Sequence, residues 1–279
     1  MQSSEHPGSH EDSTGPRDGV RFFFGLATLT TFAVVSVLVG LVVARTGNFI
    51  ALRYCLLFAL LMAVVIAYGI VVRYRHVDLS RVVRVTERDG IPGTEIRSSA
   101  WQFALLVALM GCCTVFCGMA AVEIFIHQED GLPGGAVLAG ALGVVSASFL
   151  AAVVFGRIRR GGVILCSQGI VHRGWSFESR LDWPAISVVT LASIGYNSMP
   201  AILVGGYANA HWARGYTTRL WRIDRLPTIA MLQIDCRQFD VDPRALYEYV
   251  RAYVDNPQLR AELGTDAALT RARQSDAAG

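Results

Sequence analysis

The chain has 279 residues, 53% of them hydrophobic and only 17% charged, with a formal net charge of +3 and a mean hydropathy of +0.41. A charged share well below the globular norm of about 25%, with the apolar residues gathered in long uncharged runs, excludes a disordered chain, a collagen-like repeat and a secreted disulfide scaffold, and argues against a fully soluble enzyme. The small net charge provides no strong field for nucleic acid. At roughly 150 residues per domain the length suggests about two units.

Residues 1–20 are rich in Ser, Gly, Pro, His and acids. Such a segment buries too little apolar surface to offset its chain entropy, so a disordered tail is expected. Four apolar runs follow, about 22–44, 49–72, 100–126 and 134–156. At 1.5 Å per residue each spans the roughly 30 Å hydrocarbon core, and the first is too long for a signal peptide. Gly47-Asn48 and Leu132-Pro133-Gly134-Gly135 supply breaks. The expectation is a four-helix transmembrane domain over 21–156, two hairpins joined by a basic loop over 73–99.

Orientation follows from arginine placement. Eleven arginines (17, 21, 73, 75, 81, 84, 88, 97, 157, 159 and 160) fall on one side and two, Arg45 and Arg53, on the other. Both termini are therefore expected in the cytoplasm, with the helices in a bacterial inner membrane. All 25 basic residues are arginine, a bias that with the abundant Ala, Val and Gly points to a GC-rich bacterial genome. The loop arginines also form a juxtamembrane basic cluster that would be attracted to an anionic leaflet, and the loop is long enough to add a strand to whatever follows.

Small residues recur along the helices. Gly135, Ala139, Gly143, Ala147 and Ala151 form an every-fourth stripe that lets another backbone approach, in this bundle or in a second copy. Shorter stripes are Ser36, Gly40, Ala44 and Ala59, Ala63, Ala67. No ionisable residue stands at mid-membrane, where a transporter would need one; Arg53 and Glu123 sit near helix ends. Glu123 and His127, with Glu129 and Asp130 beyond, offer at most a weak metal pattern. Cys113 and Cys117, beside Cys112, read as small apolar residues in the absence of thiolate-stabilising charges. No residue set implies a cofactor, and no phosphate loop, zinc-protease, nucleophile-elbow or kinase motif occurs.

From Arg157 charges return and the apolar runs shorten to strand length. Val163–Cys166 and Ile170–Arg173 flank a Gly-containing turn and predict a hairpin. Gly174–Leu181 alternates as a half-buried strand does. Further strands are expected at Ser187–Leu191, Ile202–Gly205, Arg219–Ile223 and Thr228–Cys236, with Ser193–Thr218 largely irregular. Asp242 N-caps an amphipathic helix carrying Pro243 at its first position and Leu246, Tyr249, Val250 and Tyr253 on one face. Asn256-Pro257 ends it and starts a short helix to Leu263. Residues 265–279 are expected to be disordered.

Short antiparallel strands closed by one amphipathic helix suggest a small barrel or sandwich. The hairpin VILCSQGIVHRG, followed by LDWPAISVV and the Asp242 helix, resembles bacterial pleckstrin-homology-like domains over roughly 161–256. The whole arrangement is similar to actinobacterial multi-pass membrane proteins with such a tail. The resemblance implies a cytoplasmic PH-like α+β domain over 157–264, with Trp183 and Ile186 as core residues, and it implies a fold rather than an activity.

One segment interleaves arginine with aromatic rings: Trp212, Arg214, Tyr216, Arg219, Trp221, Arg222 and Arg225. That mixture suits lipid headgroups, arginine meeting phosphate and the rings lying at the interface. The expected function is non-enzymatic: an integral membrane protein presenting the PH-like module to a protein partner, a second copy or an anionic membrane surface, and not to nucleic acid. The alternative is a membrane-embedded enzyme or small transporter using the helical bundle.

Overall fold

The computed structural model describes residues 16–126, 133–194, 199–224 and 226–278. The chain divides into two compact units, residues 1–66 and 67–279.

The first unit pairs α1 (Pro16–Arg45) with the larger part of α2 (Phe49–Tyr74). Residues 16–20, expected to be disordered, instead extend α1, because adding residues to a formed helix is cheap and proline suits its first position; residues 1–15 lie outside the described residues. Gly47 ends α1 at φ +84° and Asn48 caps α2, its Oδ1 accepting from Ala51 N at 3.0 Å. Gly40 is where the helices close up: a Cβ there would stand 2.8 Å from Cys55 Cβ. Ser36 Oγ donates to Cys55 O at 2.9 Å. Ala44 is half-buried, whereas Ala63 of the α2 stripe is exposed.

The four long helices, α1, α2, α4 (Ala100–Ile126) and α5 (Pro133–Val154), are each long and apolar enough to cross a membrane. No more than 11% of any apolar window is buried by protein. Phe125, Val144 and Val154 are 71%, 70% and 82% exposed. Contiguous apolar surface of this extent requires a non-aqueous cover, as a membrane protein has.

In the second unit the 73–99 segment is not a free loop. It forms α3 (Leu79–Val82) and the hairpin β1 (Val83–Arg88) and β2 (Ile91–Arg97). Asp89 and Gly90, at φ +52° and +77°, make the tight turn that an Asp-Gly pair favours. β2 then pairs antiparallel with β3 (Gly162–Cys166), from Gly93 opposite Cys166 to Arg97 opposite Gly162. The β domain is thus assembled from two stretches of chain, with the α4–α5 hairpin inserted between them. That corrects the boundary of 157–264.

β4 (Gly169–Arg173), β5 (Phe177–Asp182) and β8 (Trp212–Tyr216) extend the sheet to six strands in the order β1-β2-β3-β4-β5-β8. β6 (Ile186–Ile194), β7 (Met199–Gly206) and β9 (Met231–Asp235) form a second, three-stranded sheet. β5 shows the strand period plainly, with Phe177, Ser179 and Leu181 inward and Glu178, Arg180 and Asp182 outward. Ser193–Thr218, expected to be largely irregular apart from a strand at Ile202–Gly205, carries the end of β6, all of β7, which includes that strand, and β8. Arg219–Ile223, expected as a strand, has no strand pairing, because its backbone and side chains are taken up by the turn at 175–176 and by α5.

The core joins both sheets to α6 (Pro243–Asp255), through Val163, Leu165, Leu181, Ile202, Leu232 and the Leu246–Tyr253 face. Asp242 Oδ2 accepts from Ala245 N at 3.1 Å at its start. Arg260 donates to Tyr253 O and Val254 O at its end while stacking 4.4 Å from the Trp183 ring. Trp183 is buried, its Nε1 donating to Cys166 O at 2.8 Å, and Ile186 packs against the same core.

Residues 266–278, expected to be disordered, form α7 (Asp266–Ala278). Its fully buried Ala268 and Ala272 let it lie close to the domain. Asp276 accepts from Leu79 N and Ser80 N at 2.6 and 3.0 Å, capping α3. Gly264 makes this return possible. Its φ is +83°, its N donates to Thr94 Oγ1 at 3.0 Å, and a Cβ would meet Pro92 Cβ at 2.7 Å and Gly93 N at 2.9 Å. Gly264→Ala is expected to cost about 2 kcal/mol, from left-handed backbone strain plus the close contact with β2. The check is a thermal melt in detergent, with early proteolytic release of the C-terminal helix; an unchanged melt would show that β2 yields freely.

Candidate functional site

The aromatic–arginine segment does not form one patch. Trp212 is half-buried against the main core, its Nε1 donating to Ser179 Oγ at 2.6 Å. Arg214 lies 4.4 Å over that ring and donates to Pro227 O at 2.6 Å, so it braces the end of β8. Tyr216 takes Arg222 at 5.0 Å and its hydroxyl accepts from Leu226 N at 3.3 Å. Arg225 lies outside the described residues, as do His127, Glu129 and Asp130 of the metal pattern. Among the described residues no group of three metal-ligating side chains occurs.

Trp221 belongs elsewhere. Its indole stacks edge-on with Phe149 of α5 at 5.2 Å and its Nε1 donates to Ser148 Oγ at 3.1 Å. Phe149, Ile158 and Trp175 form a second core, packed by Phe103, Leu106, Val107 and Met110 of α4. This core welds the β domain to the ends of the α4–α5 pair. The loop around Trp221 is pinned on both sides: Thr217 N donates to Ser176 O at 2.9 Å, Thr217 Oγ1 to Arg157 O at 2.6 Å, and Ile223 N to Ser176 Oγ at 3.1 Å. Arg219, Leu220 and Arg222 are left exposed beside the helix end. Among the described residues neither arginine has an ion-pair partner.

The 73–99 arginines contrast with these. Arg75 pairs with Asp240 at 3.3 Å, Arg81 with Asp78 at 3.1 Å, Arg88 with Glu178 at 2.6 Å and Arg97 with Glu95 at 2.7 Å. Carboxylates already answer most of that basic cluster.

In the small-residue stripe of α5, Gly143 is buried, with room for a Cβ only 3.5 Å from Cys117 Cβ and Gly118 N of α4. Ala139 and Ala147 are half-buried, and Gly135 and Ala151 are exposed. Four residues advance a helix by about 400°, so such a stripe drifts about 40° per step and leaves the contact face at both ends. Cys117 serves as packing surface here.

A cavity of about 370 Å³ lies where α2 and α4 meet the β domain, and sequence reasoning missed it. Its wall includes Tyr68 and Val72 of α2, Gln102 of α4, His172 of β4, Phe177 of β5 and Gln233 and Asp235 of β9. Trp175, Ile223, Asp224, Arg237 and Gln238 complete it. Asp235 is held by Arg237, through Nε at 3.1 Å and a terminal nitrogen at 2.7 Å. Asp224 accepts from Trp175 N at 2.9 Å and from Gln238 Nε2 at 3.4 Å. Burial pushes the Asp224 carboxyl up from its usual range, against those hydrogen bonds. Burial pushes the His172 imidazole down to about 4, with Asp235 opposing weakly, so the ring is neutral at pH 7. Among the described residues His172 Nδ1 and Trp175 Nε1 are buried without a hydrogen-bond partner. These residues come from separate segments at no regular spacing; the only sequence signals were a lone His in a strand and a lone Asp among arginines.

No family model, curated protein or solved structure matches the chain.

Proposed function

We propose that this protein is a multi-pass bacterial inner-membrane protein with both termini in the cytoplasm. Its β domain, PH-like in its strand-and-capping-helix plan, is a binding module that reads anionic lipid at the membrane surface and carries out no catalysis. The observation that carries this reading is Trp221 locked onto the end of α5, with Arg219, Leu220 and Arg222 exposed and unneutralised beside it. A loop beside an apolar helix end suits headgroup depth. Leucine there meets the acyl boundary and arginine meets phosphate, whose planar bidentate recognition it suits. The α4–α5–Trp175 core supports the same reading, because a domain fused to its helices presents this loop at a constant height.

The test is retention of phosphatidylglycerol by full-length protein in mixed phosphatidylcholine nanodiscs, read by lipid mass spectrometry. At about 1 kcal/mol per arginine near the surface, Arg219→Ala with Arg222→Ala weakens the preference by about thirtyfold. Arg214→Ala, which braces β8, is expected to alter the melt and leave lipid preference intact. Equal phosphatidylglycerol retention by wild type and double variant would reject the lipid reading. It would shift the function to a protein partner on the exposed β6 edge, where Val188 and Leu191 face outward.

A further inference from the structure

We infer that the cavity between α2, α4 and the β domain is a binding site for a small organic ammonium ion, either free or as the headgroup of a membrane lipid. Its volume, about 370 Å³, falls within the small-ligand range. The sign of the ligand follows from the charges in the wall. Arg237 and Asp235 neutralise each other through two side-chain contacts. Among the described residues Asp224 is the carboxylate left over, since its hydrogen bonds come from a backbone amide and a glutamine rather than from a cation. His172, neutral at pH 7, does not offset it. An anion brought into this wall meets an uncompensated carboxylate at low dielectric, and an uncharged polyol leaves that charge unanswered; a cation answers it.

The rest of the wall suits an ammonium. Tyr68, Trp175 and Phe177 provide aromatic surface, which attracts cations through the ring quadrupole. His172, 4% exposed, and the amide of Gln233 stand in the same wall and bring no further charge to it. Tyr68 and Val72 lie in the last turns of α2, and Gln102 in the first turn of α4. The cavity therefore opens among residues at the ends of membrane-length helices, the depth at which ammonium headgroups reside. This site does not depend on Arg219 or Arg222, so it and the proposed phosphate-reading loop stand or fall separately.

Isothermal titration of the full-length protein in detergent, with ethanolamine and choline as probes and acetate and glycerol as comparators, tests the site. Saturable binding of at least one amine is expected, with none for acetate or glycerol. Asp224→Asn is expected to weaken it by about tenfold or more, the loss of one charge-assisted contact. Val72→Trp, which fills the cavity from α2 without touching Asp224, is expected to abolish it; thermal melts establish that each variant is folded. In nanodiscs, competition by phosphatidylethanolamine but not phosphatidylglycerol would identify a lipid headgroup as the source, and equal binding in both would identify a free amine. Acetate or glycerol binding as well as the amines, no saturation by either amine, or unchanged amine binding in folded Val72→Trp would overturn the proposal.

Discussion

Acidification through the interval from about pH 6.5 to about pH 4 is expected to remove about 3 kcal/mol of stability through His172 alone. The ring is 4% exposed on β4, edge-on to Phe177 at 5.2 Å, and burial holds its folded-state pKa near 4 against 6.5 in the unfolded chain. Between those values the unfolded chain binds the proton and the folded chain does not, so stability falls as pH falls. Above the upper value both states are neutral, and below the lower value both are charged, so the contribution is flat outside the window. Asp224 works in the opposite sense: its carboxyl is raised by burial, so the folded state takes up its proton first on acidification. The measurement is therefore a comparison, with melts of wild type and His172→Phe in detergent from neutral pH down to the lower limit of the window. Asp224 is common to both and cancels. Because Nδ1 has no partner among the described residues, an apolar ring there leaves none of them newly unsatisfied on that side. The wild type should lose stability relative to the variant by about 3 kcal/mol across the window; parallel curves would show that His172 is charged in the folded domain.

Asp240→Ala is expected to cost a similar amount, about 3 kcal/mol. Asp240 is 8% exposed and sits at φ +53°, where aspartate and asparagine are tolerated and alanine is strained. Its Oδ1 accepts from Gln102 Nε2 at 3.0 Å, its Oδ2 faces Arg75 Nε at 3.3 Å, and its backbone oxygen accepts from Val77 N at 2.7 Å. One residue thus ties the end of α2 and the start of α4 to the β domain. Alanine removes one of the two acceptors of the buried Gln102 Nε2, which keeps Arg237 O at 2.6 Å, deletes the carboxylate facing Arg75, and adds the left-handed strain. Asp240→Asn keeps the amide acceptor and the backbone tolerance and loses only the charge facing half-exposed Arg75, a loss of about 1 kcal/mol. Thermal melts in detergent should rank wild type, then Asn, then Ala; equal losses in the two variants would mean that the charge alone matters.

Parts of this structure are legible in the sequence. Arg88-Asp89-Gly90-Ile91 is a strong hairpin signal that stands within an arginine-rich loop. Asp266–Ala278 contains the best helix formers, with Ala268 and Ala272 four apart, but its polarity suggested disorder. Small alanines bury little area each; they allow a close approach, and the contact exists only once α3 and β1 are in place. Other features left no local trace. β8 pairs with β5, which lies 31 to 39 residues earlier along the chain across the register, and the five-residue β8 segment has no clean alternation. Arg219–Ile223 is short and apolar enough to read as a strand, but Ser148, Phe149 and Ser176 claim its groups first.

The sequence by itself determined the four apolar helices, because their length and lack of charge are local properties that no packing partner can alter. It also determined the amphipathic face and caps of α6 and the β3–β4 hairpin, where partners are near neighbours in the chain. Only the tertiary structure decided that the 73–99 segment completes the β domain, that Trp212 and Trp221 serve different cores, and that Tyr68, His172, Asp224 and Gln233 share one cavity. Those outcomes depend on contacts between residues distant in the chain, whose closure is driven by burial shared over both sheets and the α4–α5 ends and not by any pattern one segment carries.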